Sequence, residues 1–187
     1  MDVADYHELP IHMFAVVLIS ALLTLSGPFD QTLKVAPLPR DGQVLVSFEL
    51  QQALTDDVRT TIRSGMAVSF VYKVDLRRSS AVWIDRTIAT TVVKATVRYD
   101  NLTRRYMLTR TVNGSIERPD TTDSEEVAWR WLTDQFDRLP LFSSVQLESN
   151  GEYYVRVSAH AAPRNAGFVW PWRGDDVTAF TKFTLIR

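Results

Sequence analysis

The chain has 187 residues, with 21 Lys and Arg against 22 Asp and Glu, a formal net charge of −1, and 45% hydrophobic residues. That describes one ordinary folded domain, with room for a short leader, and not a disordered chain. No overall charge calls for nucleic acid or an anionic membrane, and the absence of cysteine removes disulfides, thiol catalysis, Fe–S clusters and Cys-based zinc sites.

Residues 13–25, MFAVVLISALLTL, are apolar except for Ser20 and Thr24. The run has the length of a signal-peptide core and is shorter than a membrane-crossing helix requires. Thr24 and Ser26 are small residues suited to cleavage after Ser26, and Gly27-Pro28 stops a helix. The preceding dozen residues carry Asp2, Asp5 and Glu8 and no base, unlike a signal peptide, so a true start at Met13 is one account. A buried N-terminal helix of a cytoplasmic protein is the other. Export, cleaved or tethered to the inner membrane, is the expectation, because no polar residue recurs at helical spacing to give the run a wet face.

Residues 31–42, with Pro37 and Pro39, read as a linker ending in an Asp41-Gly42 turn. Val44, Val46, Phe48 and Leu50 then alternate with polar neighbours, the period of a half-buried strand. Thr55 caps a short helix whose first turn holds Asp56 and Asp57, and Ser64-Gly65 ends it. Met66 to Leu76 is the clearest alternating strand. Ala81 to Tyr99 is another, rich in β-branched residues, and Arg105 to Val112 a third, closed by Asn113-Gly114. A second helix starts near Thr122–Glu125 at capping-box spacing, with Val127, Ala128, Trp131 and Leu132 sharing one face, and Pro140 closes the segment. A hairpin of Ser143–Glu148 and Glu152–Ala159 joined at Asn150-Gly151 follows, and then a last strand, Thr178–Ile186.

The fold class expected is α+β and mostly β. It is an antiparallel sheet or β-sandwich of about seven strands with two short helices, preceded by a hydrophobic N-terminal helix. Residues 1–30 are the leader, 31–42 the linker and 43–187 a single mostly-β domain.

Certain stretches also carry a family pattern: Leu-Thr-Asp with Ser-Gly-Met-Ala-Val-Ser-Phe within 54–70, Trp-Ile-Asp at 83–85, the run Val97 to Tyr106, the capped helix near 122–132, and Gly-Glu-Tyr-Tyr-Val-Arg-Val at 151–157. Over roughly residues 43–187 the chain resembles a bacterial domain-of-unknown-function family, the one numbered 4390. The resemblance implies an exported or membrane-tethered protein without an assigned activity, often encoded near a membrane sensor kinase. It transfers no functional residue. The acidic N-terminus and the Trp-Pro-Trp segment depart from the family pattern.

Chemistry-bearing motifs are sparse. His7 and His12 fall in the leader and His160 stands alone on a strand, which does not make a metal site. No Gly-x-Ser-x-Gly elbow and no phosphate-cradling glycine loop occurs. Asp56-Asp57 and Glu125-Glu126 are accounted for by helix starts, and Asp175-Asp176 lies in a loop beside Arg173. Arg77-Arg78 and Arg104-Arg105 read as exposed strand-end arginines, and Asn101 and Asn113 as turn residues. Trp83, Trp129 and Trp131 read as core or core-edge. The loop 167–174, with Phe168, Trp170, Trp172 and Arg173, reads either as a plug for the end of the sandwich or as an interaction lip, and is the one place marked for function.

The reading is a non-catalytic bacterial envelope protein, periplasm-facing or tethered to the inner membrane, acting as an accessory or interaction module. Its partner would be an inner-membrane or envelope protein, with membrane association through the N-terminal segment if uncleaved, no nucleic acid and no cofactor. Two rivals stand beside it. An apolar-ligand module needs a cavity on the Trp129/Trp131 side. An enzyme on envelope polymers needs ionisable groups, such as Asp175, His160 and Arg156, converging in a cleft.

Overall fold

A computed structural model describes residues 31–79, 85–117, 119–162 and 176–186. The leader lies outside them. The described residues form two antiparallel sheets and two helices, so the chain is mostly β. The strands are β1 (Thr32–Arg40), β2 (Gln43–Gln51), β3 (Val68–Arg78), β4 (Arg86–Asp100), β5 (Arg105–Val112), β6 (Ser115–Ile116), β7 (Asp120–Thr122), β8 (Phe136–Ser143), β9 (Glu152–Ala162) and β10 (Val177–Thr184). The helices are α1 (Asp56–Arg63) and α2 (Glu125–Thr133). One sheet has the order β1-β2-β8. The other is seven-stranded, β10-β9-β3-β4-β5-β6, with β7 also on β5.

Local signals set most elements. Asp41-Gly42 and Asn113-Gly114 both place two successive residues at positive φ, the requirement of a type I′ hairpin turn, and so join β1 to β2 and β5 to β6. The Thr55 side chain accepts from the Val58 amide at the start of α1, and Ser124 does the same for Val127 in α2. Glu125 is thus the first residue of α2. Thr122 stands outside the helix, its hydroxyl accepting from the Ser124 amide. Gly65 ends α1 at φ +88, where a Cβ would also lie 2.8 Å from the Asn101 side chain.

Two sequence expectations are corrected. The stretch expected as a linker is strand β1, in full register with β2 from Thr32↔Gln51 to Arg40↔Gln43. Its prolines are tolerated because β1 is an edge strand. Val35, of the same parity as Pro37 and Pro39, gives its carbonyl outward to the Thr181 hydroxyl of β10, so the missing amides fall on the side away from β2. The hairpin expected from Ser143–Glu148 is also absent. The strand lies earlier, at β8, and contains Pro140, while Ser144 and Leu147 are buried in the turns that follow. Period-two reading fails here because register shifts opposite Val44/Leu45 and Val46/Phe48, together with Arg138 at φ +48, break the alternation.

The core lies between the three-stranded sheet and α1/α2 on one side and one face of the seven-stranded sheet on the other. At its centre Phe48 of β2, Tyr72 of β3 and Phe136 of β8 meet with ring centroids 4.4–4.9 Å apart. The Tyr72 hydroxyl donates to the Leu132 carbonyl, one of the C-terminal carbonyls of α2 with no intrahelical partner. Trp129 is buried against Tyr106, with the Arg59 guanidinium over its ring, and Arg63 binds Glu125 to tie α1 to α2. Replacing Tyr72 by Phe keeps the packing and orphans the Leu132 carbonyl. We expect a loss of about 1–2 kcal/mol in urea unfolding, against about 3–5 kcal/mol for Phe136→Ala, which empties the same cluster.

Candidate functional site

The side of the seven-stranded sheet turned away from the core carries the densest polar chemistry among the described residues. Alternation brings it there. On β3 the even-numbered residues Val68 to Leu76 are buried in the core, so Ser69, Val71, Lys73, Asp75 and Arg77 stand on the opposite face. Register then sets their neighbours. Asp75 lies between Thr90 of β4 and Arg156 of β9, and Arg156 is in turn beside Phe180 of β10. Lys73 lies between Val92 and Ser158, and Val71 between Lys94 and His160.

Asp75 is the hub. Its side chain is 3% exposed, yet both oxygens are engaged: Thr90 donates at 2.6 Å and Arg156 at 2.8 Å, with the Lys73 ammonium 3.9 Å away. Burial by itself raises the carboxyl, but the bonds from Thr90 and Arg156 and the charges of Lys73 and Arg156 outweigh it and hold Asp75 below its ordinary value. A second assembly lies along the same strands. Arg77 donates to the Asp85 carbonyl and lies over the Tyr154 ring, whose hydroxyl donates to the Asp85 carboxylate at 2.8 Å. Burial and the adjacent Asp85 push the Tyr154 phenol upward.

Around these fixed groups the face is basic. The strands turn Lys73, Arg77, Lys94, Arg98, Arg105, Arg156 and Lys182 to this side, against Asp75, Asp100 and Glu152 and the Asp85 carboxylate held by Tyr154. Among the described residues Lys94 and Lys182 are in no salt bridge. Phe180 (62% exposed), Ile116 (70%), Met107 (44%) and Val92 (39%) stand among them. This face carries an excess of bases although the whole chain is −1.

Phe168, Trp170, Trp172 and Arg173, the expected interaction lip, lie outside the described residues, as do Asp175 and Trp83. His160 and Arg156 both lie on β9, on the basic face. On the Trp129/Trp131 side the described residues are packed against one another. Trp131 donates its indole N–H to the Thr109 carbonyl, and buried Arg110 lies 4.3 Å from the Trp131 ring and 4.9 Å from that of Phe136. Arg110 donates to the Gln135 carbonyl, and burial lowers its pKa. A depression of about 260 Å3 opens over Phe48 and Phe136, rimmed by Lys34, Glu49, Asp134 and Asp137. Asp137 accepts from Ser47 and Glu49 from Gln51. Among the described residues no three His, Asp or Glu gather as metal ligands, and no helix is long and apolar enough to cross a membrane.

Sequence reasoning missed the basic face because it looked for adjacency along the chain. Arg77-Arg78 is no unit: Arg77 is on the outer face, and Arg78 pairs with Glu148. Sheet neighbours are i and i+2 and cross-strand partners, and the latter follow only from strand order.

These features define an antiparallel two-sheet protein with two capping helices and one cationic sheet face. The family model for the Domain of unknown function (DUF4390) matches residues 32–163, and the chain belongs to that family. The match begins at β1, earlier than the resemblance read from sequence, and ends just after β9. No curated protein and no solved structure gave a match.

Asp75 adds acid sensitivity of predictable sign. Its lowered value means a contribution present in full above the unfolded carboxylate pKa, about 3.9, and lost as pH falls through the folded value. In Asp75→Asn we expect a loss of about 1–3 kcal/mol at pH 7, since half-buried Arg156 keeps no full charge partner. The decline in stability below about pH 4 becomes shallower than in the parent. Urea melts across pH check both.

Proposed function

We propose that this protein is a non-catalytic accessory or interaction module of the bacterial cell envelope, periplasm-facing or tethered to the inner membrane, which docks through the outer face of its seven-stranded sheet. The observation that carries the reading is the excess of bases on that face, interleaved with exposed apolar side chains. The ionisable groups at its centre support a passive role. Asp75 is bonded to Arg156 and Thr90, and Tyr154 to Asp85, and a low carboxyl pKa suits a structural anion better than a general acid or base. The apolar run at residues 13–25 supports the location.

Docking through a face, rather than through a strand edge, fits how the edges are blunted. β1 lies against β10, β8 carries Pro140 and a bulge, and β6 and β7 are only two and three residues long.

The test uses the full chain in cells. A photo-crosslinking residue is placed at Lys94, at Lys182, and at Glu126 on the exposed side of α2 as a control, followed by fractionation and N-terminal sequencing. We expect the protein in the envelope fraction and adducts from Lys94 and Lys182 that are absent from Glu126. A soluble cytoplasmic protein beginning at Met1, or equal adducts from all three positions, overturns the reading.

A further inference from the structure

We infer that the partner of the basic sheet face is an anionic phospholipid surface; this rests on the docking role proposed above and names its counterpart. Three observations carry it. First, the charge is spread and not pocketed. Lys73, Lys94, Arg98, Arg156 and Lys182 are distributed over β10, β9, β3 and β4. Neighbouring strands stand roughly 4.8 Å apart and same-face residues roughly 6.8 Å apart along a strand, so the cations form a shallow array. A layer of phosphate headgroups is matched by such an array, whereas a single bound anion is held by donors converging on one point.

Second, apolar side chains stand between the cations. Phe180 is next to Arg156 across β10 and β9. Val92 is next to Lys73 across β4 and β3, and Met107 is next to Arg98 across β5 and β4. All three are exposed, as is Ile116 at the β6 end of the same face. Bases whose ends reach phosphates, with apolar groups reaching the acyl boundary between them, are the combination that seats a surface at a bilayer interface. An acidic protein surface would satisfy the cations but leave the apolar set without a counterpart of stated shape.

Third, the centre of the array is held in place. Asp75 fixes Arg156 and draws in Lys73, so the carboxylate at the middle of the face is flanked by two bases. Lys94 and Lys182, on either side of it, make no salt bridge among the described residues, which leaves them to pair with an external anion. The near-neutral total for the chain hides this, because the compensating acids lie elsewhere.

The experiment measures binding of the full chain to phosphatidylcholine vesicles with and without phosphatidylglycerol. The apolar run at 13–25 partitions into both, so the readout is the ratio between the two compositions. We expect phosphatidylglycerol to strengthen binding, and the gain to shrink as salt shortens the Debye length below about 8 Å. Lys94→Glu/Arg98→Glu/Lys182→Glu should reduce the gain on the order of 100-fold, from a factor of roughly five per base removed. Lys94→Arg/Lys182→Arg should keep it. None of these residues touches Asp75, and an unchanged thermal melt verifies the fold. Equal binding to both vesicles, or a gain that survives the triple reversal, overturns the lipid assignment. If crosslinks in cells still arise at Lys94 and Lys182 but run to an acidic protein, the docking role stands and the lipid partner falls. If no crosslinks arise there, both fall.

Discussion

The structure depends on Tyr72. Its fully buried ring, on the seven-stranded sheet, packs against the stacked pair Phe48 and Phe136 of the three-stranded sheet, while its hydroxyl donates to a carbonyl at the end of α2. One side chain therefore joins three parts of the fold: the three-stranded sheet through Phe48 and Phe136, the seven-stranded sheet through its own strand, and the helical cover through Leu132. A buried helix end needs a donor, and a tyrosine is large enough to fill an inter-sheet gap while still delivering one. Desolvation pushes the phenol well above its ordinary value, so it stays a neutral donor. Burial also constrains Arg110, which is packed between Trp131 and Phe136 at the edge of the same cluster.

Because the core consumes one parity of each strand, the other parity is handed to solvent together, and five strands contribute to one continuous face. The Asp75 assembly on it is a poor source of stability, since desolvation offsets much of what a shielded ion pair gains. Its effect is positional. It fixes a guanidinium at the centre of the face, while Lys94 and Lys182 make no salt bridge among the described residues. The result is an extended cationic surface with apolar side chains upright in it, and that arrangement, in a family without an assigned activity, underlies the reading as a docking module.

Much of the fold was legible. The alternation in Val44–Leu50 and Met66–Leu76, the Thr55 cap, the two-residue Asn113-Gly114 turn and the acid-led second helix are all local signals, and all correspond to β2, β3, α1, the β5–β6 turn and α2. β1 and β8 were not legible because proline and bulges overwrite the period-two pattern, and their strand character comes from pairing with β2 on either side. The candidate face was half legible. Each strand displayed a polar side, but Lys73, Lys94 and Arg156 are 21 and 62 residues apart in successive steps along the chain, and nothing local relates them.

The sequence by itself determined, β1 and β8 apart, which stretches extend, which coil and where the chain turns, and to which family it belongs, because backbone preference and the polar–apolar period act within a few neighbouring residues. Tertiary structure alone decided the strand order β10-β9-β3-β4-β5, and with it the convergence of Asp75, Arg156 and Thr90 and the gathering of positive charge on one side of a chain that is nearly neutral. Cross-strand contact is a matter of register between distant segments, fixed by how the buried faces pack and not by the exposed residues that end up side by side.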